Sequence, residues 1–152
     1  MAVRVSLQDI VDGMDFQSDE AASYLNLVTG KVVMITDDEL EAAEEGGDED
    51  LYDAEILETA RGVLAGKDYV ALPDRFEIDE YRMMVQFAES VVDQATSDQL
   101  LVVLRGSGAF RRFKDTVHIL GLADNWYDFR ARAYEETAIA WCERNGIEYY
   151  RE

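Results

Sequence analysis

The sequence predicts a helix-rich α+β fold: one compact domain over residues 1–152 with a small antiparallel sheet that includes a β-hairpin. Three observations lead there. Apolar residues recur at i, i+3 and i+4 over most of the chain, and capping residues precede the runs. Two β-branched runs flank Thr29-Gly30 at hairpin spacing. The chain's 152 residues, 48% of them hydrophobic and only one of them proline, suffice for one sizeable core, whereas a split would leave two marginal ones.

The elements follow in order. Ser6-Leu-Gln-Asp9 caps a first helix whose apolar face is Leu7, Ile10, Val11 and Met14. Ser23 to Ile35 is the hairpin. Thr36-Asp-Asp-Glu39 is a capping box that opens a short helix, which runs into an acidic mobile loop at residues 44–50. Leu51 to Leu64 is helical again, with Tyr52, Ile56, Ala60, Val63 and Leu64 on one side and Gly66 as its stop. Tyr69 to Leu72 is a short buried strand closed by Pro73. Asp79 caps a helix with Tyr81, Met84, Val85, Ala88, Val91 and Val92 inward, and Thr96 caps the next, Leu100 to Leu104. Beyond a glycine turn, Phe110, Phe113, Val117 and Leu120 form a helical stripe ended by Gly121. Asp124 opens the longest helix, Trp126 to Arg144, which Asn145-Gly146 stops. Ile147 to Tyr150 is a terminal strand.

Charge narrows the function classes. Residues 1–60 hold seventeen acids against two bases, and residues 61–152 hold sixteen against twelve, within a net charge of -19. Such a field repels nucleic acid, so direct nucleic-acid binding is disfavoured. No stretch approaches the roughly 20 apolar residues of a membrane span, and no membrane partner is expected. The opening residues lack the apolar core of a secretory signal and Cys142 stands alone, so a cytoplasmic protein is expected.

The usual chemistries find little material. One His and one Cys cannot build a zinc cage, and Asp48-Glu-Asp50 lacks the spacing of a calcium loop. No metal and no cofactor are expected. His118 lies off the apolar stripe and shares a helix face with Lys114 and Asp115. Cys142, next to Trp141, reads as a small hydrophobe. Gly106-Ser-Gly108 is half of a dinucleotide fingerprint and follows a helix rather than a strand. No catalytic residue emerges, and the sequence does not decide whether the chain is an enzyme.

One segment stands out. Residues 105–132 carry six bases (Arg105, Arg111, Arg112, Lys114, Arg130, Arg132) against three acids, a local excess of positive charge in an acidic chain. The bases gather where a glycine turn opens a helix, and a helix start presents free N–H groups and the positive end of a dipole. The candidate anion-binding set is Arg105, Gly106, Gly108, Ala109, Arg111, Arg112 and Lys114, with Arg105 and Arg111 as its best pair. The competing reading makes Gly106 a C-cap, Ser107 an N-cap, and pairs the arginines with the acidic N-terminal half; Arg111 also stands at i-4 from Asp115, where a local pair can form. Trp126, Tyr127 and Arg130 are the candidate partner-contact residues.

Several motifs together carry a resemblance. Gly106 to Asp115 (GSGAFRRFKD), Trp126-Tyr-Asp-Phe129 and Ala140 to Ile147, with Ser23 to Asn26, Thr29 to Val33, Ala71 to Pro73 and Phe76 to Tyr81, resemble the bacterial uncharacterised protein family UPF0158 over nearly the whole chain. The resemblance implies a single compact domain and brings no activity, cofactor or catalytic residue. The residues favour a non-enzymatic binding or regulatory module that uses the basic glycine-turn segment to contact a protein or a phosphorylated ligand. The alternatives are a small enzyme handling phosphoryl ligands or nucleotides at the same site, and an acidic mimic of nucleic acid. Aromatics on the last helix and an uncovered terminal strand would permit a homodimer.

Overall fold

The computed structural model describes residues 3–46 and 51–151. Its elements are β1 (Arg4–Ser6), α1 (Leu7–Phe16), β2 (Ala21–Asn26), β3 (Val32–Thr36), α2 (Asp37–Glu44), α3 (Ala54–Ala65), β4 (Tyr69–Ala71), α4 (Arg75–Ile78), α5 (Glu80–Ser90), α6 (Gln94–Val103), α7 (Ala109–Ile119), α8 (Ala123–Arg144) and β5 (Glu148–Tyr150). This is the expected helix-rich α+β class, with a three-stranded antiparallel sheet in the order β3-β2-β4. The residues pack as two compact units, Met1–Asp74 with Glu135–Glu152 and Arg75–Tyr134. A single folding domain over 1–152 remains a proposal beside that division. Of the acidic loop expected at 44–50, residues 47–50 lie outside the described residues.

The first unit is built on β2. Its residues alternate between the sheet's two faces, as strand geometry requires. On one face lies α1, so close that a Cβ on Gly13 would come within 2.8 Å of both Leu72 Cδ2 and Val32 Cγ1. The buried Ser23 hydroxyl donates to the Gly13 carbonyl at 2.8 Å and fastens that approach. On the other face Ile35, Ala43, Leu57 and Ala60 form a buried cluster flanked by Tyr24, Val33, Leu40 and Val63. Gln17 ties the end of α1 to the sheet: it donates to the Pro73 carbonyl at 2.8 Å and accepts from the Ser23 amide at 3.0 Å.

Local signals set most boundaries. The Ser6 hydroxyl accepts from the Asp9 amide at 3.3 Å, and both bonds of the Thr36–Glu39 capping box form, at 2.8 and 3.1 Å. Elsewhere the structure differs. α3 starts from Asp53 rather than at Leu51, and it buries Leu57 and Ala60 while Ile56 and Leu64 are exposed. α6 starts from Asp93, not Thr96; the Thr96 hydroxyl and amide both donate to the Asp93 carboxylate, which holds its pKa below the ordinary value. Val92, expected inward, is fully exposed just beyond α5. β1 was not read from the sequence, and the terminal strand β5 pairs with it in parallel, Arg4 opposite Glu148 and Ser6 opposite Tyr150.

The second unit is held by aromatic packing. Phe113 and Trp126 are fully buried with ring centroids 5.0 Å apart at 81°, and Phe87 meets both rings edge-on, at 6.2 and 5.6 Å. The Ser97 hydroxyl donates to the Ala88 carbonyl at 2.7 Å and links α6 to α5. A partly buried ion pair, Arg130 to Glu80 at 2.7 Å, links α8 to α5.

The Ser23–Gly13 bond makes a testable difference. Ser23→Ala leaves a buried carbonyl without a donor and is expected to cost about 1–3 kcal/mol in urea unfolding. Thr59→Ala removes only a solvent-exposed hydroxyl bond to Glu55 on α3 and should stay within about 0.5 kcal/mol. Equal losses in the two variants would contradict the role given to Ser23.

Candidate functional site

The glycine turn joins α6 to α7, and its geometry follows from the carbonyls that a helix end leaves without amide partners. Side chains supply the missing donors here. The Tyr81 hydroxyl, from α5, donates to the Leu104 carbonyl at 2.8 Å. Arg112 Nε donates to the Val103 carbonyl at 3.1 Å, and its two terminal nitrogens donate to the carbonyls of Ser107 and Arg105. One guanidinium thus takes three carbonyls of the turn and Tyr81 takes a fourth.

Gly106 and Gly108 both adopt φ 76°, the left-handed region that glycine enters without steric cost. At Gly108 an added Cβ would also come within 3.1 Å of Arg112 Nη1. Gly108 itself is the N-cap of α7 and has no side chain to offer, so the first turn of α7 keeps its amides free of side-chain caps. The alternative expectation of Ser107 as N-cap is not met, because the chain turns one residue later.

This geometry sorts the candidate anion set. Arg112 is committed to three carbonyls, so it positions the turn and leaves the set of groups open to a ligand. Ala109 is buried, 6% exposed, and contributes only its amide. Arg105, Arg111 and Lys114 are exposed. Among the described residues none of these three is joined to a carboxylate, and the local pair of Arg111 with Asp115 does not form. Arg111 and Lys114 share one face of α7 at i and i+3.

That face also carries aromatics whose position the periodicity misread. Phe110, expected in the core, is 42% exposed and stacks on Tyr81, 43% exposed, with ring centroids 6.4 Å apart at 27°. His118 follows Lys114 by one turn, and its Nε2 lies 3.5 Å from the Tyr127 hydroxyl. The signal missed in the sequence is the spacing of Phe110, Lys114 and His118 at i, i+4 and i+8, a second stripe beside the buried one of Phe113 and Val117.

The partner-contact candidates divide. Trp126 is fully buried in the aromatic cluster, so it presents no surface; its indole nitrogen has no hydrogen-bond partner among the described residues. Arg130 is held by Glu80 and by the Tyr134 hydroxyl at 2.9 Å, with its guanidinium 4.2 Å from the Tyr134 ring centroid. Tyr127 alone is open, at 48% exposure.

The rest of the molecule offers little reactive chemistry. Burial, with a smaller contribution from Glu143, pushes the Cys142 thiol up from 9.0 to about 11. Among the described residues no group of three or more His, Cys, Asp or Glu comes together to hold a metal ion, and no helix is long and apolar enough to cross a membrane. Residues 75–134 carry eight bases and nine acids, a net of -1, and the other unit carries six bases and twenty-four acids, a net of -18.

Two outcomes are expected. Arg112→Ala removes charged donors from three carbonyls, two of which water can reach, and should destabilise the chain by about 1–2 kcal/mol; Arg111→Ala should change stability by less than about 0.5 kcal/mol. Urea unfolding of both variants reads this directly, and an equal effect would deny Arg112 its role. Native Cys142 should resist iodoacetamide at pH 8 and react once the chain is unfolded. Below the ordinary thiol pKa neither state loses the proton, and the group contributes nothing to stability. Above it the unfolded chain ionises first, so stability falls as pH rises from 9 towards 11.

No curated protein and no solved structure matches the chain. The family model described as "Uncharacterised protein family (UPF0158)" matches residues 1–152, and the chain belongs to that family.

Proposed function

We propose that the protein is a non-enzymatic binding module whose contact surface is the exposed face of α7, and that this face takes an acidic or phosphorylated ligand. The observation that carries this is the state of Arg105, Arg111 and Lys114. In a chain with 33 acidic residues, none of these cations is joined to a carboxylate among the described residues. An exposed ion pair gains only about 0–1 kcal/mol, so leaving three cations open costs the fold little. It keeps them available for a partner's anion, beside the uncapped amides of the first turn of α7.

Binding is favoured over catalysis by the surroundings. His118 has a tyrosine hydroxyl rather than a carboxylate at hand, and Cys142 is buried with a raised pKa. Neither arrangement activates a nucleophile. The Tyr81–Phe110 pair adds a planar, half-exposed apolar surface next to the cations, which suits a ligand with a ring or an aromatic side chain near its negative charge.

A thermal-shift screen tests the reading, with nucleotides, sugar phosphates and short oligonucleotides on the wild type and on Arg105→Ala/Arg111→Ala. A ligand at 100 times its Kd adds about 2.7 kcal/mol, which for this chain length raises Tm by roughly 5–10 °C. The shift is expected in the wild type and should vanish in the double variant. If no compound shifts the wild type, or if the variant shifts equally, the face does not bind these anions.

A further inference from the structure

The β3-β2-β4 sheet belongs to the other unit. In the β3-β2-β4 sheet the two outer strands are finished differently. Hydrogen bonds along β2 alternate sides. The Asn26 amide donates to the Lys31 carbonyl at 2.9 Å, and the Asp37 amide donates to the Glu20 carbonyl at 2.8 Å. Val33 and Ile35 share the parity of Lys31 and Asp37, so their amides and carbonyls point to β2. On the far side of β2, the Leu27 amide donates to the Asp68 carbonyl at 2.7 Å and the Leu72 amide to the Ser23 carbonyl at 3.0 Å. Val70 therefore turns inward, and Tyr69 and Ala71 face the outer edge of β4. The Ala71 carbonyl there accepts the Trp141 indole N–H at 3.1 Å.

On the outer edge of β3 only the last residue finds a partner among the described residues. Its outward groups are those of Val32, Met34 and Thr36. The Thr36 amide is taken by Glu39 Oε1 at 2.8 Å. Among the described residues the outward amides and carbonyls of Val32 and Met34 make no hydrogen bond, and Met34 is 50% exposed. The strand is Val-Val-Met-Ile-Thr, with neither the proline nor the inward charge that usually blocks an edge.

We propose that this edge is a strand-addition site for an extended basic peptide segment. Backbone pairing with Val32 and Met34 supplies the affinity, as in β-augmentation generally. Charge selects the occupant. Asp37, Asp38 and Glu41 follow directly on α2, Glu20 faces Asp37 across the ladder, and the unit as a whole is at -18. A second copy of the chain would bring another -19 to the same edge and is repelled.

The probe is a labelled, end-blocked octapeptide alternating lysine with valine, read by fluorescence anisotropy on the full chain. Its controls are the glutamate–valine counterpart and a lysine–valine peptide N-methylated on alternate residues of its pairing edge. The lysine–valine peptide should bind, and both controls should bind at least tenfold more weakly. Met34→Pro should also weaken binding at least tenfold while keeping the wild-type circular dichroism, because residue 34 donates nothing to β2. Equal binding of the N-methylated peptide, readable on the wild type whatever the fate of the proline variant, would overturn the proposal. So would equal binding of the glutamate peptide, or unchanged binding by a folded Met34→Pro. A concentration-dependent dimer that Met34→Pro abolishes would give the edge to a second copy and likewise overturn it.

Discussion

The candidate face depends on where Arg112 places its charge. The last turn of α6 ends with carbonyls that no amide of the helix can reach. Tyr81 and Arg112 reach them from α5 and α7, so three consecutive helices meet at one turn. A guanidinium suits this task because its donors form a planar fork with a permanent charge. With that charge spent on the turn, the open cations next to it are Arg105, Arg111 and Lys114. The same closure holds Tyr81 by its hydroxyl, which keeps its ring where Phe110 stacks. A structural bond and an exposed surface therefore come from the same few residues.

Much of this was legible in the sequence where local chemistry decides. Capping at Ser6 and Thr36, the turn at Thr29-Gly30 and the stop at Gly66 are set by residues within four positions of one another, and the structure keeps all of them. What failed needed information from elsewhere in the chain. Periodicity gives a helix an apolar stripe but not its width, so Phe110 and Tyr81 were placed inward although α7 already buries Phe113 and Val117. The parallel pairing of β1 with β5 joins residues more than 140 positions apart, beyond any local rule. Of the site, the sequence located the segment and its three open cations. It could not show that Arg112 turns back onto carbonyls five to nine residues earlier, or that Arg130 finds Glu80 fifty residues away.

Trp126 shows the limit of reading aromatics as contact residues. A tryptophan in a mostly polar helical segment invites an interfacial role, yet its ring here fills the space between Phe87 and Phe113. The indole N–H is left without a partner among the described residues in return. Burying a full aromatic side chain contributes about 1.5–3 kcal/mol or more, which offsets the about 1–3 kcal/mol that a buried, unpaired donor costs.

Charge is distributed in step with the packing. The unit of residues 75–134 is nearly neutral, and the excess of acids belongs to the other. Exposed cations at the glycine turn and acids beside the β3 edge give the chain two local surfaces of opposite charge. Each is made from groups the fold leaves unspent: side-chain cations at Arg105, Arg111 and Lys114, and backbone amides and carbonyls at Val32 and Met34. Trp141 makes the contrast plain. Its indole N–H takes the Ala71 carbonyl on the β4 edge and Glu39 takes the Thr36 amide at the end of β3, whereas the outward groups of Val32 and Met34 meet no such partner among the described residues.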